Sequence, residues 1–283
     1  MSNVWSRMPH WSTLLQRWTG AMERHGVNLA EGLLVGGQAL NFWAERYSEN
    51  APELSDYAPF VSKDIDFFGT GTVAAKIAER LGGRVQYPKA NDHTPNAAVV
   101  HATIEGHELE IDILSNVIGP PADKLLKQMV IMDFPMRSGG DETAIPLAVM
   151  HPLHCLQSRA ANVITLGRNY DVAKRQLNAA PIVLREYISE ALGDGSDPNR
   201  TRVATSVLKS LDAYLQTDIV GRRLHMRMKN NPLGVIRAFE GDPRLDERYR
   251  ENQLKRMITD ISARQARDRN QMAAVAMGQG IPR

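Results

Sequence analysis

Asp64-Ile65-Asp66-Phe67-Phe68 sets two carboxylates at alternate positions in an otherwise apolar run. A β-strand turns successive side chains to opposite faces, so Asp64 and Asp66 point one way and Ile65 and Phe67 the other. The apolar neighbours put this strand in or beside a core, where two carboxylates side by side need a positive charge between them. Hard divalent cations such as Mg²⁺ supply it, typically bridging carboxylates to substrate phosphates. The plainer reading is a strand end whose aspartates meet solvent.

Upstream, Gly32-Leu33-Leu34-Val35 is a short apolar strand that runs into Gly36-Gly37. A helical pattern follows through Ala39, Leu40, Trp43 and Ala44. Glycines at such a junction let backbone N–H groups and a helix N-terminus approach a phosphate, although tight packing alone also explains them. An amphipathic helix is expected at 11–25, from Leu14, Leu15, Trp18 and Met22, and a loop at 48–61, which holds Pro52 and Pro59. Downstream, 70–81 has helical spacing and stops at Gly82-Gly83. Segments 97–104 and 108–114 form a hairpin about Glu105-Gly106-His107, and 129–136 adds a strand. Glu108, Glu110 and Asp112 alternate with Leu109, Ile111 and Ile113. Asp112 lies deepest in that apolar run and is the choice for a functional carboxylate, whereas the two glutamates lie nearer the turn.

After His151 the pattern changes to charged, Leu- and Ala-rich helical periodicity. Helices are expected at 151–163, 170–192, 201–217 and 247–274, with a break at 193–198. The 283 residues suffice for one large or two modest domains, and a hydrophobic share of 43% can furnish a core. Thirty-four Lys plus Arg against 32 Asp plus Glu leave a net charge of +2, so the whole-chain field singles out neither nucleic acid nor membrane. A single cysteine, Cys155, allows no internal disulfide. No run approaches the ~20 apolar residues of a membrane span, and no secretory signal is visible at the N-terminus. A soluble cytoplasmic protein without membrane contact is the expectation.

Gly-Gly after a strand, Asp-x-Asp on the next strand and an Asp on a later strand together resemble the polymerase-β-like nucleotidyltransferase superfamily. The resemblance implies an α+β chain, with a small mixed-sheet nucleotidyltransferase domain over 1–150, N-terminal helix included, and an α-helical domain over 151–283. It implies that Gly36 and Gly37 hold the triphosphate of a nucleoside triphosphate. Asp64 and Asp66 would hold two Mg²⁺ ions, while Asp112 would join one of them and help activate the attacking hydroxyl. Ser62 matches a small hydroxyl residue common before the first aspartate, and Lys63 falls with it in the nucleotide-binding set.

Within the superfamily the chain looks most similar to AbiEii-type bacterial toxins. Ile145-Pro146 leading to Leu156-Gln157-Ser158-Arg159, then Arg168-Asn169-Tyr170-Asp171, stand where that family has a basic helix residue and an Arg/Asp pair. Arg159 takes the place of the more usual Lys, keeping the charge as a planar fork. The interval from Gly37 to Asp64 is longer than the family's, which makes 48–61 an insertion. The likeness spans about 32–171. It implies transfer of a nucleoside monophosphate to a hydroxyl of tRNA or protein by a toxin held in check by an antitoxin. An antibiotic-modifying nucleotidyltransferase and an inactive binding module are the alternatives.

Other clusters read as structural. His151, His154 and Cys155 lack the spacing of a tetrahedral zinc site, and Cys155 carries no nucleophile signature. Arg222, Arg223, His225, Arg227 and Lys229 are the densest basic run. A solvated helix face explains them, and the functional reading is a patch for RNA phosphates.

Overall fold

A computed structural model of the chain describes residues 22, 24–28, 31–58, 65–104, 106–138 and 141–276. The protein is mixed α/β and divides into two compact units, Met1–Asn162 and Val163–Arg283. All seven strands lie in the first unit, and the second is built of helices among the described residues.

The strands are β1 (Leu33–Leu34), β2 (Ile65–Phe68), β3 (Arg84–Gln86), β4 (Asn96–Ile104), β5 (His107–Leu114), β6 (Val130–Ser138) and β7 (Asp141–Val149). They form one mixed sheet in the order β3-β4-β5-β2-β1-β7-β6. Strand β1 needs only two residues because neighbours hold it on both sides. Leu33 pairs with Phe68 of antiparallel β2 and Ala148 of parallel β7, and both leucines of β1 are buried. Strands β4 and β5 make the expected hairpin, with Ile104 paired to His107. His107 is therefore a strand residue, and Gly106, at φ +77°, takes the left-handed turn position.

Among the described residues the helices of this unit include α1 (Gly36–Arg46), α2 (Gly71–Leu81), α3 (Ala122–Lys127) and α4 (Pro152–Ile164). The end of α4 passes the division between the units. Helix α1 is buried from Gly36 to Glu45. Its Trp43 stacks on Tyr47 with centroids 6.0 Å apart, and the indole N–H donates to the Met150 carbonyl at 2.8 Å. One long-range bond thereby ties α1 to the end of β7. Helix α2 buries Ala74, Ile77, Ala78 and Leu81, the i, i+3, i+4, i+7 stripe of an amphipathic helix. It ends at Gly82 in the left-handed conformation, with the Gly83 N–H donating back to the Ala78 carbonyl at 2.8 Å.

The sequence reading of 48–61 as a loop missed a 3₁₀ turn at Pro52–Tyr57. Proline at its first position starts that turn, and Leu54 anchors it in the core. The expected helix at 11–25 lies outside the described residues except for 22, 24 and 25, of which Met22 and Arg24 are helical.

The second unit contains α5 (Asp171–Leu192), α6 (Pro198–Thr217), α7 (Ile219–Arg223), α8 (Leu233–Arg237) and α9 (Lys255–Ala276). Helix α6 starts three residues before its expected position. Asp197 caps it, accepting from the Asn199 N–H at 2.8 Å, and Pro198 takes the first helical position, where a missing N–H costs nothing. Arg244 closes α5 by donating to the carbonyls of Ser189 and Gly193 at 3.2 and 3.1 Å. The segment expected as a helix from 247 is helical from 247 onward, passing through a π-helical stretch, Tyr249–Leu254, before it continues as α9. Among the described residues no helix is long and apolar enough to cross a membrane.

Candidate functional site

Strands β2 and β5 lie side by side and parallel, with Asp66 and Asp112 as direct register partners. Adjacent strands are about 4.8 Å apart, and partners in register project from the same face, so the two carboxylates are immediate neighbours. Both residues are half-buried, while Ile65, Phe67, Ile111 and Ile113 fill the opposite face. Glu108 and Glu110 share the face of Asp112 but are exposed. Of the three alternating acids on β5, Asp112 is thus the one drawn into the protein beside another strand's aspartate.

A third element meets Asp66. The Val35 N–H donates to the Asp66 carbonyl at 2.9 Å, which clamps the end of β1 to β2. The chain then turns into α1 through Gly36 at φ +67°. A Cβ on Gly36 would overlap the Asp66 carboxylate, with the carboxyl carbon 3.1 Å away. Val35 contributes no side-chain cap, and the N-terminal turn of α1, the positive end of its dipole, begins beside this carboxylate. Gly37 is buried in the same first turn.

Asn96 at the start of β4 donates from Nδ2 to Asp112 Oδ1 at 2.8 Å. The sequence reading missed it, because an asparagine at a strand start carries no signal of its own. On the same face lies a recess of about 740 Å³ lined by Arg84, His101, Thr103, Glu108 and Glu110 among others. Within it His101 Nδ1 is 3.5 Å from Glu110 Oε2.

Gly36, Asp66 and Asp112 are therefore brought together, with Gly37 next in the chain. Ser62, Lys63 and Asp64 lie outside the described residues. Arg159 stands on α4, where its guanidinium donates to the Ser158 hydroxyl at 3.4 Å. Among the described residues no group of three or more His, Cys, Asp and Glu is placed to hold a metal. Asp66 and Asp112 are a pair of that kind. Their two adjacent carboxylates at a helix N-terminus are oxygen donors of the sort that Mg²⁺ shares with phosphate.

The histidines of α4 act otherwise. His151 Nδ1 accepts from the Leu153 N–H at 3.1 Å, so this ring caps the helix in the manner of an N-terminal Asn or Asp. Burial, with His154 nearby, pushes His151 down to about 3, and burial, with Lys124 nearby, pushes His154 down to about 4. Both are neutral near pH 7. Burial pushes the Cys155 thiol up to about 12, so it is a thiol in the core and no nucleophile.

In the second unit the basic run is not one helix face. Helix α7 ends at Arg223, and a 3₁₀ turn follows over Leu224–Met226. Leu224 and Met228 are buried while Arg222, Arg223 and Arg227 are exposed. No family model, no curated protein and no solved structure matches this chain.

Proposed function

We propose that the chain is a metal-dependent nucleotidyltransferase, in which a small mixed-sheet catalytic domain precedes a helical domain. One observation carries the reading. Asp66 and Asp112 sit in register on neighbouring parallel strands, with the start of α1 at Gly36 pressed against the Asp66 carboxylate. Adjacent carboxylates and a glycine-lined helix N-terminus are what a triphosphate and its cations require from a protein.

In this reading Asp66 and Asp112, with Asp64, hold two Mg²⁺ ions. Bound there, the ions neutralise phosphate charge and polarise the acceptor hydroxyl. Gly36 and Gly37 turn backbone N–H groups toward the triphosphate, with Ser62, Lys63 and Arg159 completing the nucleotide contacts. The acceptor oxygen attacks the α-phosphorus as the bond to the bridging oxygen of the leaving group breaks. A nucleoside monophosphate is transferred, pyrophosphate leaves and the hydroxyl proton passes to base or solvent. Asn96 holds the plane of the Asp112 carboxylate. The chain's own contribution is position and charge, which supply most of the rate in such reactions.

The resemblance to AbiEii-type toxins makes tRNA or a protein hydroxyl the acceptor, with an antitoxin as the restraining partner. The recess holding Glu108 and Glu110 favours a second reading, a cationic small molecule such as an antibiotic as acceptor. Incubation with each α-labelled nucleoside triphosphate, Mg²⁺ and a mixture of total RNA, cell protein and aminoglycosides tests all three. Label on RNA or protein supports the first reading and label on the drug the second. No transfer under any condition, with wild-type affinity for a partner intact, leaves an inactive binding module.

A further inference from the structure

Four of the eleven exposed large hydrophobic residues among those described converge on one groove in the second unit. Helix α9 supplies one wall with Asp268, Gln271, Met272 and Val275, an i, i+3, i+4, i+7 stripe along its last turns. Ile219, Arg222, Arg223 and Met226 supply the other. The groove encloses about 730 Å³, and Ile219 and Met272 are 72% and 57% exposed. Solitary surface hydrophobics need no explanation, but four gathered in a concave site mark a surface that another molecule covers.

Among the described lining residues two exposed arginines, Arg222 and Arg223, stand against one acid, Asp268. Arg222 and Arg223 form no ion pair with any described carboxylate. Asp268 lies 3.9 Å from Arg264 Nε and 3.8 Å from His225 Nε2, a ring that burial holds below its usual range. Arg264, one helical turn before Asp268, is only 9% exposed, and its guanidinium nitrogens meet no hydrogen-bond acceptor among the described residues. Arg264 and Asp268 offset one another, which leaves Arg222 and Arg223 to set the sign of the rim.

We infer that this groove docks an amphipathic helix of a partner protein, with aliphatic side chains between Ile219, Met226, Met272 and Val275 and carboxylates against Arg222 and Arg223. The apolar floor decides between macromolecules. Single-stranded nucleic acid uses aromatic platforms for its bases, and among the described residues no aromatic lines this groove. Two apolar walls with a basic rim are instead the counterpart of a helix that carries anchors on one face and acids beside them. Every described residue that lines the groove belongs to Val163–Arg283.

The test uses the full chain and a fluorescein-labelled synthetic peptide of about 16 residues, some four helical turns, with a leucine stripe flanked by glutamates. Fluorescence anisotropy should show saturable binding. A scrambled peptide of the same composition and a lysine-for-glutamate counterpart should bind about tenfold more weakly or worse, a difference of about 1.4 kcal/mol. Ile219→Ser with Met272→Ser, and separately Arg222→Glu with Arg223→Glu, should each weaken the designed peptide by a similar factor, because anchors and rim charges both contribute. All four positions are exposed or rim residues, and an unchanged Tm verifies that the fold survives. Equal binding of the scrambled peptide, or none up to about 100 µM, overturns the inference. So does self-association of the chain that the apolar double variant abolishes, which assigns the groove to a second copy. Binding of labelled single-stranded RNA that depends on the arginines and not on the apolar pair also overturns it, in favour of nucleic acid.

Discussion

Gly36 lies against the Asp66 carboxylate so closely that a methyl group in place of its hydrogen would overlap a carboxylate oxygen and stand 3.1 Å from the carboxyl carbon. Two separate demands meet at this glycine, since its φ of +67° also excludes most side chains. Gly82 isolates one of them. It has nearly the same φ, +62°, but nothing within 4 Å of a Cβ. Gly82→Ala should therefore cost only the left-handed backbone, about 1–2 kcal/mol. Gly36→Ala should add overpacking of about 1–3 kcal/mol and displace the carboxylate. Thermal melts of the two variants measure the difference. Nucleotide transfer should survive in Gly82→Ala and be lost in Gly36→Ala. Equal melting temperatures would show that the carboxylate yields without resistance.

Asp66 and Asp112 repel across about 4.8 Å of strand spacing when no cation lies between them. Replacing either by Asn should hold or raise the melting temperature without Mg²⁺, while lowering transfer by roughly 100-fold or more. Mg²⁺ should raise the melting temperature of the wild-type chain and leave Asp66→Asn nearly unmoved. Asp64→Ala should behave as Asp66→Asn in transfer. Glu110→Gln, at an exposed position on the same strand, should have little effect. Near wild-type turnover by Asp66→Asn would remove the proposed chemistry.

Alternation made β2 and β5 legible in the sequence, because Ile65, Phe67, Leu109, Ile111 and Ile113 must share a buried face. The glycine stop of α2 was legible for the same local reason. Register is different. Nothing within β2 or β5 says that they pair directly and in parallel, with Asp66 opposite Asp112, because long-range pairing is set by what lies between and beyond. Asn96 was hidden for that reason, its role existing only once β4 is laid beside β5. Strand β3 has three residues, too few for any period to show, whereas the two-residue β1 was legible only through its apolar run and the glycines that follow it. The helical half was read correctly in outline from its 3.6-residue periodicity. The π-helical bonding of Tyr249–Leu254 within the last helix was not, because its residues have ordinary helical composition.

Asn96 is a positioning residue in this scheme, since it touches the Asp112 carboxylate and nothing that reacts. Removal of such a partner typically costs 10–100-fold in activity or metal affinity. Asn96→Ala should lower kcat by about tenfold at saturating Mg²⁺ with the KM for nucleotide little changed. Asn96→Asp should be worse, because it adds a further negative charge beside Asp112. Addition of Mg²⁺ should partly rescue Asn96→Asp and leave Asn96→Ala unmoved. If both variants respond to Mg²⁺ alike, the amide only packs against the strand.

The pH dependence of stability should have two opposed limbs, each traceable to buried groups. Burial raises Glu45 on α1 from 4.5 to about 8. Below pH 4.5 both the folded and unfolded forms hold this proton. As pH rises toward 8 the unfolded chain releases it and the folded chain does not, so stability is lost across that window. His151 and His154 work in the other direction, being lowered from 6.5 to about 3 and about 4. Above pH 6.5 they are neutral in both states, and as pH falls the unfolded chain takes up two protons that the folded chain refuses. Between 4.5 and 6.5 the two histidines outweigh the one glutamate, so stability rises with pH. From 6.5 to 8 only Glu45 acts and stability falls, by up to about 1.4 kcal/mol per pH unit. These groups alone place the maximum near pH 6.5. Denaturant titrations of the wild-type chain and of Glu45→Gln at pH 5.5, 6.5 and 7.5 resolve the limbs. The amide should flatten the fall above 6.5 and steepen the rise below it, because the opposing slope of the glutamate is gone. Identical profiles for the two chains would mean that Glu45 is ionised in the folded state, held by a cation that burial alone does not reveal.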